Sequence, residues 1–178
     1  MGTGRRRAPH GGDGFEGDRV TYYSLSFDAA VHHRPEPVSI IRVHLEDSAA
    51  PRKAVEVLRA GGLLAFPTDE GYLVGCSAVD AEAVRRLREV TGAAPEGLQR
   101  LAASREQADR AGGAARISRD PVALALMRDA DVPLAAATCR PGAPPAPTAQ
   151  HVVFVLGDRL DLILDAGATT RQPMATAR

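Results

Sequence analysis

A hydroxyl, two carboxyls and a phenol fall within five consecutive residues, at Thr68, Asp69, Glu70 and Tyr72. Carboxylates at a turn can hold the ammonium group of an amino acid, or Mg²⁺ carried in with a nucleotide. Thr68, Asp69 and Tyr72 are the candidate catalytic residues. Asp69 and Glu70 are neighbours, so in an extended segment they would point to opposite sides. That makes them a poor acid/base pair unless a turn brings them together. The plainer alternative is that Thr68 and Asp69 only satisfy the backbone donors of the turn. Other chemistries lack their signatures. The chain has no Gly-x-x-x-x-Gly-Lys phosphate loop, no Gly-x-Ser-x-Gly elbow and no His-Glu-x-x-His pair. No metal site is expected. His32-His33 has no partner at ligand spacing, and Cys76 and Cys139 are too far apart to form a metal-type pair. The two cysteines read as free thiols behaving as small buried hydrophobes.

The elements around this stretch position it. Residues 63–66 form an apolar run of strand length, and Pro67 is expected to end it, because proline cannot donate to a central ladder. Gly71 lets the backbone bend, and 72–76 resumes an extended apolar segment. Upstream, 38–45 reads as a strand. A helix follows, capped by Ser48 with Pro51 in its first turn, and Gly61-Gly62 ends it. Downstream, Asp80 caps a helix over 81–90 with Val84, Leu87 and Val90 on one side. Arg85, Arg86 and Arg88 lie mainly on its other faces, as a solvated surface or an RNA-contacting patch. Residues 96–113 read as one polar helix with a weak stripe of Leu98, Leu101, Ala102 and Ala108. A short strand at 115–117, a helix capped by Asp120 and opening on Pro121, and a strand near 133–138 follow. A proline-rich loop then leads to a helix capped by Thr148, which carries His151, and a strand at 160–164 closes the order. The fold expected is α/β, a twisted mixed β-sheet flanked by helices.

The helix-strand-turn run Ala54-Val55-Glu56-Val57-Leu58-Arg59-Ala60-Gly61-Gly62, followed by Phe66-Pro67-Thr68-Asp69, resembles the opening of the YrdC/YciO family. The Gly71-Tyr72 and Gly75-Cys76 pairs are similar to its YciO branch. The resemblance runs over about 51–90 and resumes over 116–170. It implies a YrdC-like fold, here with a shortened middle. It also implies kinship with enzymes that make threonylcarbamoyl-adenylate from threonine, bicarbonate and ATP, for a modification of tRNA. ATP, with Mg²⁺, would then be substrate, and no prosthetic group is expected. By the same resemblance Thr138 and Arg140 stand where the family has the Ser-x-Asn that contacts nucleotide phosphates, so they are the candidate nucleotide-binding residues. Thr138 keeps the hydroxyl, and Arg140 replaces an amide with a fixed cation. Thr91 and Ala93 stand where the family has Lys-x-Arg, and neither can carry a charge. Arg100 or Arg105 would have to substitute.

Composition bounds the rest. The 178 residues suggest a domain over 35–170 with tails at 1–34 and 171–178. Arg5-Arg6-Arg7 in the first tail reads as a solvated charge run, and 22–27 as an edge strand. No apolar run approaches the ~20 residues needed to cross a bilayer, and none near the start reads as a signal peptide, so a cytoplasmic protein without a membrane partner is expected. A formal net charge of +0 means that tRNA or other structured, double-stranded RNA would need a local basic patch. Three functions stay open: a YciO-like protein that binds nucleotide or RNA with weak or lost synthesis, an active threonylcarbamoyl-AMP synthase, and a degenerate, non-catalytic interaction module.

Overall fold

The computed structural model describes residues 38–44, 49–111 and 114–169. The expected tails, the 22–27 strand, His32-His33, Leu45, the Ser48 cap and Thr170 lie outside the described residues.

Among the described residues, seven strands make one mixed sheet: β1 (Ser39–Arg42), β2 (Leu64–Thr68), β3 (Gly71–Ser77), β4 (Gln99–Ala102), β5 (Arg116–Ile117), β6 (Leu134–Ala137) and β7 (Leu162–Asp165). Their order across the sheet is β1-β7-β2-β3-β6-β4-β5. β1 and β2 run parallel to β7, and β4 runs parallel to β5. The pairs β2–β3, β3–β6 and β4–β6 are antiparallel. Five helices among the described residues flank the sheet: α1 (Arg52–Arg59), α2 (Ala81–Thr91), α3 (Arg105–Ala111), α4 (Pro121–Ala130) and α5 (Ala149–Leu156).

Strand alternation sorts the core into two layers. Ala65, Tyr72, Val74, Cys76, Ala135 and Ile163 face α2 and α5, where they meet Ala83, Leu87, Ala149, Val152 and Leu156. Leu64, Phe66, Leu73, Leu134, Leu162 and Leu164 face α1 and α4, against Ala54, Leu58, Val122, Leu126 and Met127. A sheet buried on both faces accounts for the near-continuous apolar runs of β2, β3 and β6. Burying each such leucine or phenylalanine stabilises by about 1.5–3 kcal/mol before entropy is counted.

The helix starts follow the expected chemistry. Asp80 accepts from the N–H groups of Glu82 and Ala83, Asp120 from those of Val122 and Ala123, and Thr148 from that of His151. For α1 the residue in the cap position is Pro51 itself, whose ring carries no hydrogen-bond acceptor.

Two expectations are corrected. Pro67 does not end its strand. It lies inside β2 and pairs with Tyr72. Tyr72 sends its backbone N–H to Ala146 O at 2.7 Å and accepts from Ala146 N at 3.2 Å. Its ladder groups thus point away from β2, so no donor is required of Pro67 there. The stretch 96–113 is not one helix either. It holds a single 3₁₀ turn at Pro95–Gly97, then β4, then the short α3. β4 joins β6 to β5, and the sheet runs unbroken through this part of the chain. Leu101 and Ala102, expected on a helical stripe, are fully buried strand residues.

One buried amide ties α3 in place. Gln107 is 4% exposed. Its Oε1 accepts from Ala103 N at 2.9 Å, and its Nε2 donates to Met127 O at 2.8 Å. A second tie closes the far side of the sheet. The Tyr72 hydroxyl donates to Gly167 O at 2.7 Å and accepts from Ala166 N at 2.9 Å. Asp165 Oδ1 lies 3.4 Å away. Burial pushes this phenol up to about 12, and the Cys76 and Cys139 thiols, buried in the same layer, up to about 12 and about 11.

Gln107→Leu should lower stability by about 2–4 kcal/mol, because two buried backbone groups lose their partners. A urea midpoint unchanged from wild type would contradict this. The three raised groups bind their protons more tightly in the folded state than in the unfolded one. Their stabilisation is therefore complete below about pH 9 and is lost as pH rises towards 12. The unfolding free energy from urea titrations should fall over that window, by up to about 1.4 kcal/mol per pH unit for each group. Tyr72→Phe should make the fall shallower above pH 10.

Candidate functional site

The β2–β3 hairpin turns through Asp69 and Glu70. Thr68 is 2% exposed and closes the turn with its own hydroxyl, which donates to Gly71 O at 2.6 Å and accepts from Glu70 N at 3.3 Å. Gly71 has φ of +134°, and a Cβ there would come 2.7 Å from Pro145 Cβ and 3.0 Å from Ala146 O. Only glycine lets the 139–147 loop lie so close to the turn. The Tyr72–Ala146 bridge fixes that contact.

The carboxylates of the turn converge on one cation. Arg116 Nη1 lies 3.0 Å from Glu70 Oε1, and Arg116 Nη2 lies 3.9 Å from Asp69 Oδ1. Arg116 is on β5, three strands from β3, about 14 Å along a flat sheet. The contact needs two extended side chains and the curl of a twisted sheet. Asp69 and Glu70, which would diverge in a strand, are thus brought together by the turn. Beneath them Asp120 is 7% exposed. Both of its cap bonds end on Oδ1. Burial raises its pKa above the usual carboxylate value, against those two bonds, and the nearby Asp69 charge adds to the rise. Among the described residues no group of three or more acidic, histidine or cysteine side chains is placed to hold a metal ion. Asp69 is half-exposed.

The candidate residues do not all meet. Phe66 faces α1 and α4, so Thr68, two residues on, does as well, whereas Tyr72 faces α2 and α5. Tyr72 is fully buried, with its hydroxyl spent on residues 166 and 167. Thr138 forms a tight turn, donating to Arg140 O at 2.7 Å. The Arg140 side chain is exposed beyond it. The 139–147 loop reaches the hairpin through Pro145 and Ala146, and the end of α2 through Pro141. A Cβ on Gly92, whose φ is +72°, would lie 3.1 Å from Pro141 Cγ.

At that end of α2, Thr91 and Ala93 supply no cation, and Arg88 is the basic residue of the last turn. Thr91 is 3% exposed, donates to Leu87 O at 2.7 Å and accepts from Ala93 N at 3.3 Å. Arg88 turns to Ala93 O at 3.3 Å, and Arg100 is bonded to Ala111 O. The arginines further up α2 are also engaged, Arg85 with Glu82 and Glu89, and Arg86 with Asp161. Cys76 lies opposite Ala135 on β6. Cys139 is four residues further along, about 13 Å at the rise of a strand, too far for a disulfide.

Sequence reasoning missed two members of this site. Asp120 was visible only as a helix cap. Arg116 is 46 residues from Glu70, and no local pattern announces a contact across three strands. Its sole signal was the renewed resemblance that begins at residue 116.

Comparison with known proteins agrees with the sequence resemblance. The Sua5/YciO/YrdC family model, described as "Telomere recombination", matches residues 56–113. The threonylcarbamoyl-AMP synthase of Bacillus subtilis is 28% identical, over 66% of this chain and 46% of its own length. P. abyssi Sua5, solved in complex with L-threonine, superimposes with a TM-score of 0.61 at 25% identity, over 73% of this chain and 51% of that one. Escherichia coli YciO shares the fold, with a TM-score of 0.58 at 19% identity over 75% of this chain and 86% of its own. The chain therefore spans about half the length of the synthase and of Sua5. No helix among the described residues is long and apolar enough to cross a membrane. Over residues 56–113 in sequence, and more widely in fold, the chain is similar to the Sua5/YciO/YrdC proteins, the threonylcarbamoyl-AMP synthases among them.

Proposed function

We propose that this chain binds a nucleotide, ATP by its kinship, between the 67–72 turn and the 138–140 loop, and that it synthesises threonylcarbamoyl-adenylate weakly or not at all. The observation that carries this reading is Thr91. Adenylate formation expels pyrophosphate, and the charge that develops has to be met by placed cations. The α2 end offers a buried hydroxyl with both its bonds spent locally, followed by the methyl group of Ala93. Arg100 is bonded to Ala111 O, and Arg116 stands at the turn, against Glu70. Arg140 is the exposed cation on the loop that meets both the turn and the α2 end, so it is the group to receive phosphate. Arg105, also exposed at the start of α3, is the next choice.

The second ligand would be an amino acid, as in the Sua5 complex with L-threonine. Arg116 suits a carboxylate, and Asp69 with Asp120 suits an ammonium group. Bicarbonate would enter only if synthesis survives. Structured RNA is the weaker reading, because the formal net charge is +0 and Glu82, Glu89 and Asp161 beside Arg85 and Arg86 offset their field.

Pyrophosphate release that needs both threonine and bicarbonate tests the reading. Beside an intact synthase, the wild-type chain should bind ATP yet release pyrophosphate roughly 10²-fold or more slowly. Ala93→Arg, which returns one cation to the α2 end, should raise the rate. Release at the rate of the intact enzyme would restore full synthesis and overturn the proposal. A folded chain that binds no ATP would leave the degenerate interaction module as the surviving alternative.

A further inference from the structure

Arg116 is the one cation that the described structure brings into contact with the turn, and the chain's own carboxylates already occupy it. Arg116, Asp69 and Glu70 have side chains 45%, 51% and 49% exposed, so water screens all three. Ion pairs of this kind are weak and exchange readily. Their geometry is also incomplete. Glu70 takes Nη1 at 3.0 Å, and Asp69 stands 3.9 Å from Nη2. Neither carboxylate holds the guanidinium by both nitrogens, although the planar fork of arginine suits two-point binding of one oxyanion. A ligand carboxylate or phosphate that takes both nitrogens would therefore displace them. The strand that carries Arg116 pairs with β4 over two residues only, so few ladder bonds resist its adjustment.

We propose that Glu70, assisted by Asp69, is an internal competitor that stands in for the oxyanion of the ligand at Arg116. This rests on the turn being the ligand site. The turn is then partly self-occupied, and the side chain at position 70 sets how tightly an anionic group is taken. If the contact were only a structural latch between β5 and the hairpin, removing Glu70 would lower stability and leave anion binding unchanged.

The test has two readouts on the full chain. Phenylglyoxal modification of Arg116 in the free protein, followed by peptide mass spectrometry, reports how far the guanidinium is held. Titrations with ATP and with L-threonine separate a phosphate source of the oxyanion from a carboxylate source. Glu70→Gln should speed modification of Arg116 by about two- to fivefold, the ratio expected of an exposed ion pair. It should tighten one of the two ligands by a similar factor. Asp69→Asn/Glu70→Gln guards against Asp69 stepping in. The gain in affinity should vanish in an Arg116→Gln background, because competition needs the contested group. A gain that persists there would be a general field effect and would overturn the proposal. So would an unchanged modification rate in both carboxylate variants. If the wild type binds a ligand and neither variant gains, competition alone falls. If no variant binds either ligand, the proposed function falls, and competition falls with it.

Discussion

The hold on Tyr72 is the constraint from which the site follows. Its backbone pairs with Ala146 on the side away from β2, and its hydroxyl bridges Ala166 and Gly167 beyond the end of β7. One residue thus joins the central hairpin, the 139–147 loop and the last strand. The same arrangement permits Pro67 in a central strand, since the ladder asks no donor of it. It also requires glycine at 71, where any side chain would strike Pro145. Burial raises the pKa of the phenol, and the Asp165 and Asp120 charges add to the rise.

Around this fixed hairpin the charges are distributed unevenly. The turn is acidic, with Asp69, Glu70 and buried Asp120 set against Arg116. At the end of α2, Thr91 and Ala93 are uncharged, and Arg88 is turned to Ala93 O. The 138–140 loop presents Arg140. A ligand with a cationic or zwitterionic end at the turn and phosphates towards the loop suits this distribution, whereas a dianion at the turn would meet net repulsion.

Much of this was legible in the sequence, for identifiable reasons. The caps at Asp80, Asp120 and Thr148 are short-range hydrogen bonds whose residue types announce them. The β2–β3 hairpin was visible because two apolar runs flank a polar turn. The stretch 96–113 was misread because β4 lies towards the edge of the sheet and carries Gln99 and Arg100. Its polar residues imitate a solvated helix, and only Leu101 and Ala102 are deeply buried. Pro67 was misread because a rule about ladder donors was applied without knowing which way the partner's donors point. Arg116 was beyond reach, because its role depends on the curl of the sheet.

Hydrogen exchange of the backbone amides, with and without ATP, tests the central claim most directly. The account predicts that Tyr72, Ala146 and Ala166 exchange only through global unfolding in the free protein. It also predicts that ATP adds protection at residues 68–72 and 138–147. Exchange of these three amides by local opening, or added protection confined to other parts of the sheet, would contradict it.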